Sequence, residues 1–398
     1  MTNELIISIV LAFIIILMII KARLYIILFA GALLTGLLHG VYVIDFFRLV
    51  YLTLVDWITV RLLLIVILIR FVGSLYERSG ALKGFGKGIM KFFKGSILGI
   101  ILPPMLVGLL PMPGGALFTA PLVKESSKHR GYSKGFLTYI NFWFRHLWEY
   151  DWPLYPGIIL AIAIYEVSLQ RFVFVQLHYT LIAVAVGIIF MLIYPKKSFT
   201  YVHEELTKKE QKDFIIISLL VLVFLLSVII LRVEILYLLI ALLILSYLFF
   251  PIKRQDIKKV LKYGLNIEII LILFSVMYFK KLLFFTHALE GFAFVSESNL
   301  LLYGFVFILP FIVGFLTGVN QAYAGIAFPV LLPFIHGDIK LMSFSYVAGF
   351  AGVLLSPAHL CLVLTKEYYR AQWGEVYKWL IPSVAAIVFA LFITVFVF

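Results

Sequence analysis

Residues 101–123 read ILPPMLVGLLPMPGGALFTAPLV, a stretch with two prolines and two glycines within 111–115. The apolar arms on either side, 97–110 and 116–123, would form helices about 21 and 12 Å long at about 1.5 Å per residue. A hydrocarbon core is about 30 Å thick, so neither arm can cross it alone. Because proline ends a helix and glycine permits a tight reversal, the stretch predicts a helical hairpin over 97–123.

The basic residues around this hairpin indicate that both of its ends lie on one side of a membrane. Five lysines and arginines lie within 78–94 and four lie within 124–134. Under the positive-inside rule both clusters belong in the cytoplasm. A hydrophobic segment that begins and ends on the cytoplasmic side is a re-entrant hairpin, so we expect 97–123 to enter the membrane without crossing it.

The composition of the chain is that of a polytopic membrane protein. Of its 398 residues 64% are hydrophobic and 13% are charged. This excludes an ordinary water-soluble protein, in which about a quarter of the residues are charged, and it excludes a disordered chain. The single cysteine, Cys361, excludes intramolecular disulfides and Cys-rich metal sites.

Stretches of about twenty apolar residues predict ten membrane crossings. We place them near 4–20, 24–44, 49–76, 134–165, 171–194, 214–231, 234–251, 265–289, 341–365 and 376–398. The first run lacks a small-residue cleavage site, so it is interpreted as a span and not as a signal peptide. This topology puts 23 lysines and arginines in cytoplasmic loops and four outside. Both termini are then outside, and the net charge of +13 requires no nucleic-acid partner.

A second stretch resembles the first hairpin. Residues 308–330 read ILPFIVGFLTGVNQAYAGIAFPV and repeat the proline and glycine spacing of the first stretch. They predict a second hairpin within 299–336. The expected fold class is therefore an all-α polytopic membrane protein with ten spanning helices, two re-entrant hairpins and two repeats, 1–195 and 214–398.

A polar, charged segment at 196–213 separates the two repeats and is expected to be a cytoplasmic linker. In it, Thr207 and Glu210 form a capping-box pattern that predicts the start of a helix. Each repeat has five crossings, an odd number, so the second copy must enter the membrane inverted. Inverted repeats with broken helices are typical of secondary transporters, in which substrate and coupling ions bind where the broken helices meet.

Three stretches resemble a known family, namely GLLPMPGGALFTAPLV at 108–123, HLWEYDWPLYPG at 146–157 and GFLTGVNQAYAG at 314–325. The chain resembles, over nearly its whole length, the prokaryotic membrane family called domain of unknown function 401, which is grouped with the ion transporter superfamily. The resemblance implies a homodimer in the prokaryotic inner membrane, with a scaffold and a transport domain that moves its substrate by an elevator-like shift. The Ser-Asn-Thr signatures of the dicarboxylate branch are absent from both hairpin tips.

The two hairpin tips supply the first candidates for substrate binding. At the first tip these are Pro113, Gly114, Gly115 and Thr119. At the second tip they are Gly318, Asn320 and Gln321, where two neighbouring amides can both donate and accept hydrogen bonds. The alternative is structural, because a tip can also be a turn packed against protein and an amide can cap it.

The two interrupted spans supply the remaining candidates. The first holds Asn141 and Arg145 as substrate-binding residues, with Glu149 and Asp151 as carriers of a coupling ion. Ionisable groups are costly at membrane depth, so they either face a cavity or form an internal salt bridge, and Arg145 and Glu149 are spaced for a helical i, i+4 pair. The second interrupted span holds Ser356 as a substrate-binding candidate and His359 as a proton-carrying candidate. A Na⁺ site is possible near Asn320 and Ser356. Asp56 is a further coupling-ion candidate, although an ion pair is the simpler interpretation.

These features favour a secondary transporter that moves a small, carboxylate-type anion coupled to H⁺ or Na⁺. A cation/proton antiporter is the alternative within transport, and an intramembrane enzyme acting on lipid or peptide is the alternative from another class. The chain has no His-Glu-x-x-His, Gly-x-Ser-x-Gly or Walker A pattern, which argues against an enzyme. No cofactor is expected. The basic segment 80–95 also suits a helix lying on the anionic membrane lipid.

Overall fold

The computed structural model describes residues 2–93, 96–110, 115–194, 207–290, 295, 298–335 and 337–397. Over these ranges the protein is helical and contains no strand. The helices before the linker are α1 (Asn3–Ile19), α2 (Leu24–Leu38), α3 (Val43–Leu54), α4 (Trp57–Arg78), α5 (Ala81–Phe92), α6 (Leu98–Val107), α7 (Gly115–Ser126), α8 (Lys134–Arg145), α9 (Pro156–Tyr165) and α10 (Leu169–Ile193). A single 3₁₀ turn, Leu147–Glu149, lies between α8 and α9.

The helices after the linker are α11 (Lys208–Ile229), α12 (Ile235–Phe249), α13 (Arg254–Gly264), α14 (Ile267–Phe285), α15 (Asn299–Thr317), α16 (Asn320–Ile335), α17 (Ile339–Leu355), α18 (Leu360–Tyr369) and α19 (Trp373–Val397). Within the described ranges, six helical stretches are long and apolar enough to cross a membrane, namely α4, α10, α11, α15, α19 and the run of α17 with α18. This agrees with a membrane protein, and the count of ten crossings stays a prediction.

The start of α11 confirms the predicted capping box. Thr207 Oγ1 accepts a hydrogen bond from the backbone N–H of Glu210, and the Glu210 side chain accepts one from the N–H of Thr207. Glu210 also lies 3.2 Å from Lys91 of α5. The basic segment before the first hairpin is therefore helical in its described part and packs against the start of α11, while 196–206 of the linker lie outside the described residues.

The predicted span 49–76 is divided by a helix start. α3 ends at Leu54 and α4 begins at Trp57, because Asp56 caps α4 by accepting a 3.0 Å hydrogen bond from the backbone N–H of Thr59. An aspartate at a helix N-cap satisfies a backbone donor that would otherwise lack a partner. The single predicted helix is thus wrong, and the longer of the two pieces, α4, is one of the six that can cross a membrane.

Two other predicted spans are interrupted as expected. α8 ends at Arg145 and α9 does not begin until Pro156, while α17 ends at Leu355 and α18 begins at Leu360. Prolines account for both gaps, since a proline disfavours helical geometry in the residue before it and is accepted in the first helical turn. The residues of the first gap are buried except for Trp148, so its freed backbone groups need partners inside the protein, whereas Pro357 and Ala358 of the second gap are exposed.

The interior of the protein is built around α17, in which every residue from Leu341 to Leu354 is buried. Helix α15 lies against it in backbone contact, because Gly314 of α15 faces Gly349 and Gly352 faces the backbone of Phe311. Small residues permit this close approach of membrane helices. The tight packing fixes the position of the second hairpin, α15 and α16, relative to the interrupted span that follows it.

Candidate functional site

A cavity of about 320 Å³ lies where the two interrupted spans meet the turn of the second hairpin. Six of the residues predicted from sequence line it, namely Arg145, Glu149, Gly318, Asn320, Gln321 and His359. Three helices begin at this cavity. Pro156 and Gly157 open α9, Asn320 and Gln321 open α16, and Leu360 and Cys361 open α18.

Glu149 connects the first interruption to the second hairpin. Its side chain is buried, and Oε2 accepts a 2.5 Å hydrogen bond from Nδ2 of Asn320, the first residue of α16. Its backbone carbonyl accepts a 2.7 Å hydrogen bond from the hydroxyl of Tyr346 on the central helix α17. These contacts hold the 3₁₀ turn against two helices of the second half of the chain.

Arg145 is the last residue of α8, and its side chain is buried beside the cavity. Its Nη1 donates to the hydroxyl of Tyr155 at 3.0 Å, and that hydroxyl donates to the carbonyl of Gly108 at 2.6 Å. The i, i+4 pairing with Glu149 depended on one continuous helix, and this condition is not met because α8 ends at Arg145. Tyr155 instead positions the guanidinium, and Tyr155 is itself held by Gly108 at the end of α6.

His146 and His359 face each other across the two interruptions, with their Nε2 atoms 3.1 Å apart. Nδ1 of His146 is 2.6 Å from the carbonyl of Phe142, and Nδ1 of His359 is 2.8 Å from the carbonyl of Gly318. Nε2 of His146 is also 3.6 Å from Oε1 of Glu149. The sequence prediction selected His359 but not His146, and a contact over such a long separation leaves no local pattern.

Thr119 and Asn141 lie near the first hairpin in a fully buried hydrogen-bond network and do not line the cavity. Thr119 donates to Asn141 Oδ1 at 2.7 Å, and Asn141 Nδ2 donates to the carbonyl of Ala116 at 2.7 Å and to Thr365 at 3.2 Å. The network joins α7 to α8 and α18. Gly115 begins α7. Pro113 and Gly114 lie outside the described residues.

Three further predicted residues are not brought to the cavity. Ser356 is buried at the end of α17 and accepts a 3.2 Å hydrogen bond from the N–H of Ala358. Asp151 is buried and lines a separate cavity beside α10 and α11. Asp56 caps α4 and lies 3.7 Å from Lys281. Of the two residues of the predicted Na⁺ site, Asn320 lines the cavity and Ser356 does not.

The aromatic side chains that hold the first hairpin in place are not among the residues predicted from sequence. Trp148 Nε1 donates to the carbonyl of Met105 at 2.8 Å, and Trp152 Nε1 donates to the carbonyl of Leu109 at 2.7 Å. Tyr155 completes the set through Gly108. These bonds satisfy carbonyls at the end of α6, which a helix leaves without intrahelical partners. The signal in the sequence is the series Trp148, Trp152 and Tyr155, three aromatic side chains that each carry one hydrogen-bond donor.

The contact between Glu149 and Asn320 is expected to couple the two halves of the chain energetically. Replacing either residue with alanine should cost about 1–3 kcal/mol in the free energy of unfolding, the range for losing a buried hydrogen bond. The double variant should lose less than the sum of the single variants by about 1 kcal/mol. The measurement is the denaturant unfolding of the purified single and double variants.

A matched cycle with the neighbouring residue tests this coupling. Gln321 lines the same cavity but, among the described residues, forms no hydrogen bond with Glu149, so Gln321→Ala should couple to Glu149→Ala less than Asn320→Ala does. Additive losses for Glu149 and Asn320 would mean that their hydrogen bond contributes nothing.

A comparison with curated proteins finds no match. A comparison with protein families matches residues 4–398 to the family described as Protein of unknown function (DUF401). The matched region includes both hairpins and both interrupted spans, so the family resemblance predicted from sequence is confirmed. The chain belongs to the DUF401 family.

Proposed function

We propose that this protein is a secondary active transporter that moves a small, carboxylate-type anion across the membrane, coupled to H⁺ or Na⁺. The observation that carries the proposal is the start of three helices, α9, α16 and α18, at one cavity that Arg145 also lines. Free N–H groups at helix N-termini favour anions, and a guanidinium adds a full positive charge. A cavity of about 320 Å³ has room for a small organic anion.

The order and packing of the helices support an inverted repeat. Each half contains a hairpin followed by an interrupted span, α6 to α9 in the first half and α15 to α18 in the second. In such a repeat α2, α4, α7 and α9 correspond to α12, α14, α16 and α18. The packing follows this correspondence, because α9 packs on α16 and α7 packs on α18. In the same way, α4 packs on α12 and α2 packs on α14. Secondary transporters bind their solutes where the broken helices of the two repeats meet.

The remaining parts of the proposal follow from this architecture. We assign the protein to the ion transporter superfamily, as a homodimer in the prokaryotic inner membrane with both termini outside and an elevator-like movement. Glu149, at the cavity, and Asp151, at the separate cavity beside α10 and α11, are the two buried carboxylates that we propose as carriers of the coupling cation. The same carboxylates also support the second candidate, a cation/proton antiporter.

Arg145→Ala is expected to lower anion uptake into proteoliposomes about tenfold or more at limiting substrate. A hydrogen bond to a charged group is worth about 1.5–3 kcal/mol, and about 1.4 kcal/mol corresponds to tenfold in affinity. Candidate carboxylates are first selected by thermal stabilisation of the purified protein, and uptake is then measured with imposed H⁺ and Na⁺ gradients.

Arg61→Ala is the matched control for this experiment. Arg61 lies on α4 and forms a 2.6 Å ion pair with Glu234, away from the cavity. It should leave uptake near that of the unsubstituted protein. Unchanged saturable uptake in Arg145→Ala would remove Arg145 from the anion site. Exchange of protons for sodium without any anion would favour the antiporter, and turnover of lipid or peptide without a gradient would favour an enzyme.

A further inference from the structure

The two facing histidines have defined proton positions. Nδ1 of His146 lies 2.6 Å from the carbonyl oxygen of Phe142, and Nδ1 of His359 lies 2.8 Å from that of Gly318. A carbonyl oxygen only accepts hydrogen bonds, so each Nδ1 must carry the proton and donate it. The neutral form of each ring then has its lone pair on Nε2.

This arrangement brings two lone pairs close together. The Nε2 atoms are 3.1 Å apart, and both rings are buried, with 2% and 8% of their surface exposed. Two acceptors at this distance repel each other unless a positive ion or a proton lies between them. The pair is therefore incomplete as two neutral imidazoles.

Other ligand atoms surround the same point. The Sγ atom of Cys361 and one ring nitrogen from each histidine all lie within 4.8 Å of one another. Oε1 of Glu149 is 3.6 Å from Nε2 of His146. Asn320, which is only 7% exposed and lines the cavity, has an Oδ1 atom that accepts no hydrogen bond within the described part of the chain. A buried acceptor without a donor is a second indication of a bound ligand, and a cation or a water would satisfy it.

The distances fit a tetrahedral metal ion. Two nitrogens bound to one zinc ion at about 2.05 Å are roughly 3.3 Å apart, close to the separation of the two Nε2 atoms. Histidines that bind metals donate their other ring N–H to a carbonyl or a carboxylate, as both Nδ1 atoms do here. Nitrogen and sulfur ligands favour Zn²⁺ and similar ions over Mg²⁺ or Ca²⁺.

We propose that His146, His359 and Cys361 bind a transition-metal ion of the Zn²⁺ class, with the Glu149 carboxylate as the fourth ligand. The ion connects the break after α8 to the break before α18. A thiolate and a carboxylate among the ligands offset its charge beside the guanidinium of Arg145. The proposal concerns binding to the isolated protein, so it stands or falls separately from transport.

The only cysteine of the chain gives the test a single reporter, since Cys361 is both a ligand and the sole target of a maleimide. The full chain is purified in detergent, freed of metal with a chelator, and alkylated with and without Zn²⁺. At a Zn²⁺ concentration about ten times its Kd, alkylation should slow about tenfold, because only about a tenth of the protein is metal-free. Mg²⁺ should not protect Cys361. Alkylation as fast with Zn²⁺ as with Mg²⁺ would overturn the proposal and favour a proton shared by the two rings.

Variants assign the ligands. His146→Gln and His359→Gln keep the thiol and should each lose the protection by Zn²⁺, whereas His287→Gln should keep it because His287 is exposed and pairs with Glu290. Co²⁺ gives a second measurement, since a thiolate bound to Co²⁺ produces a near-ultraviolet charge-transfer band. The band should appear in the unsubstituted protein and vanish in Cys361→Ser. Protection that survives in both cavity histidine variants would contradict the site.

Discussion

The Gly352→Val variant is expected to lose about 3 kcal/mol of stability, the upper end of the usual range for an overpacked core. A Cβ atom on Gly352 would lie 2.2 Å from the carbonyl oxygen of Phe311 and 2.9 Å from the backbone nitrogen of Phe315. Both atoms belong to the backbone of α15, so no side chain can rotate away. The helices α15 and α17 must separate, which disturbs the most buried helix of the protein.

The effect is measured as the fraction of protein that stays monodisperse in detergent after heating. Gly374→Val is the matched control, because a Cβ atom on Gly374, in the first turn of α19, meets nothing within 4 Å. Gly374→Val should stay monodisperse up to the same temperature as the unsubstituted protein. If Gly352→Val also did so, α15 and α17 could not be in backbone contact.

The breaks in the helices could be predicted from sequence because their causes are local. A proline or a glycine marks the turn of each hairpin and the break of each interrupted span, and Thr207 with Glu210 marks the start of α11. Each signal depends on the backbone preferences of neighbouring residues. Tertiary packing did not override them at these positions.

The division between α3 and α4 was missed for a physical reason. A hydropathy average over about twenty residues gives little weight to one aspartate, so it predicts one span that continues through Asp56. Its short side chain instead caps α4. A helix start inside an apolar run is visible only from the capping pattern, in which Asp56 precedes Thr59 by three residues.

The site could be predicted in part. Ionisable residues at membrane depth indicated Arg145, Glu149 and His359, and all three line the cavity. The same reasoning also selected Asp56 and Asp151, which lie elsewhere. Sequence alone cannot separate a buried polar residue with local partners from one that faces a cavity. Contacts such as that between His146 and His359 are set by the packing of helices from different halves of the chain.

Gly318→Ala is expected to weaken zinc binding about tenfold or more and to destabilise the protein as well. Gly318 has a φ of +65° at the end of α15, a left-handed conformation that costs a residue with a Cβ atom about 1–2 kcal/mol. The new Cβ atom would also lie 2.6 Å from the backbone nitrogen of His359. The carbonyl of Gly318 accepts the hydrogen bond from Nδ1 of that histidine, so the shift would turn the ring away from His146.

Two glycines separate these effects. Gly40 has a φ of +69° and nothing within 4 Å of its Cβ position, so Gly40→Ala carries the backbone strain without the collision. Gly304 of α15 has no neighbour within 4 Å and no strained φ, so Gly304→Ala should be neutral or slightly stabilising. Protection of Cys361 by Zn²⁺ and the melting temperature are measured for all three variants. Because Gly40 and Gly304 do not line the cavity, only Gly318→Ala should lose protection. If Gly318→Ala matched Gly40→Ala in both measurements, the turn of the second hairpin would not position His359.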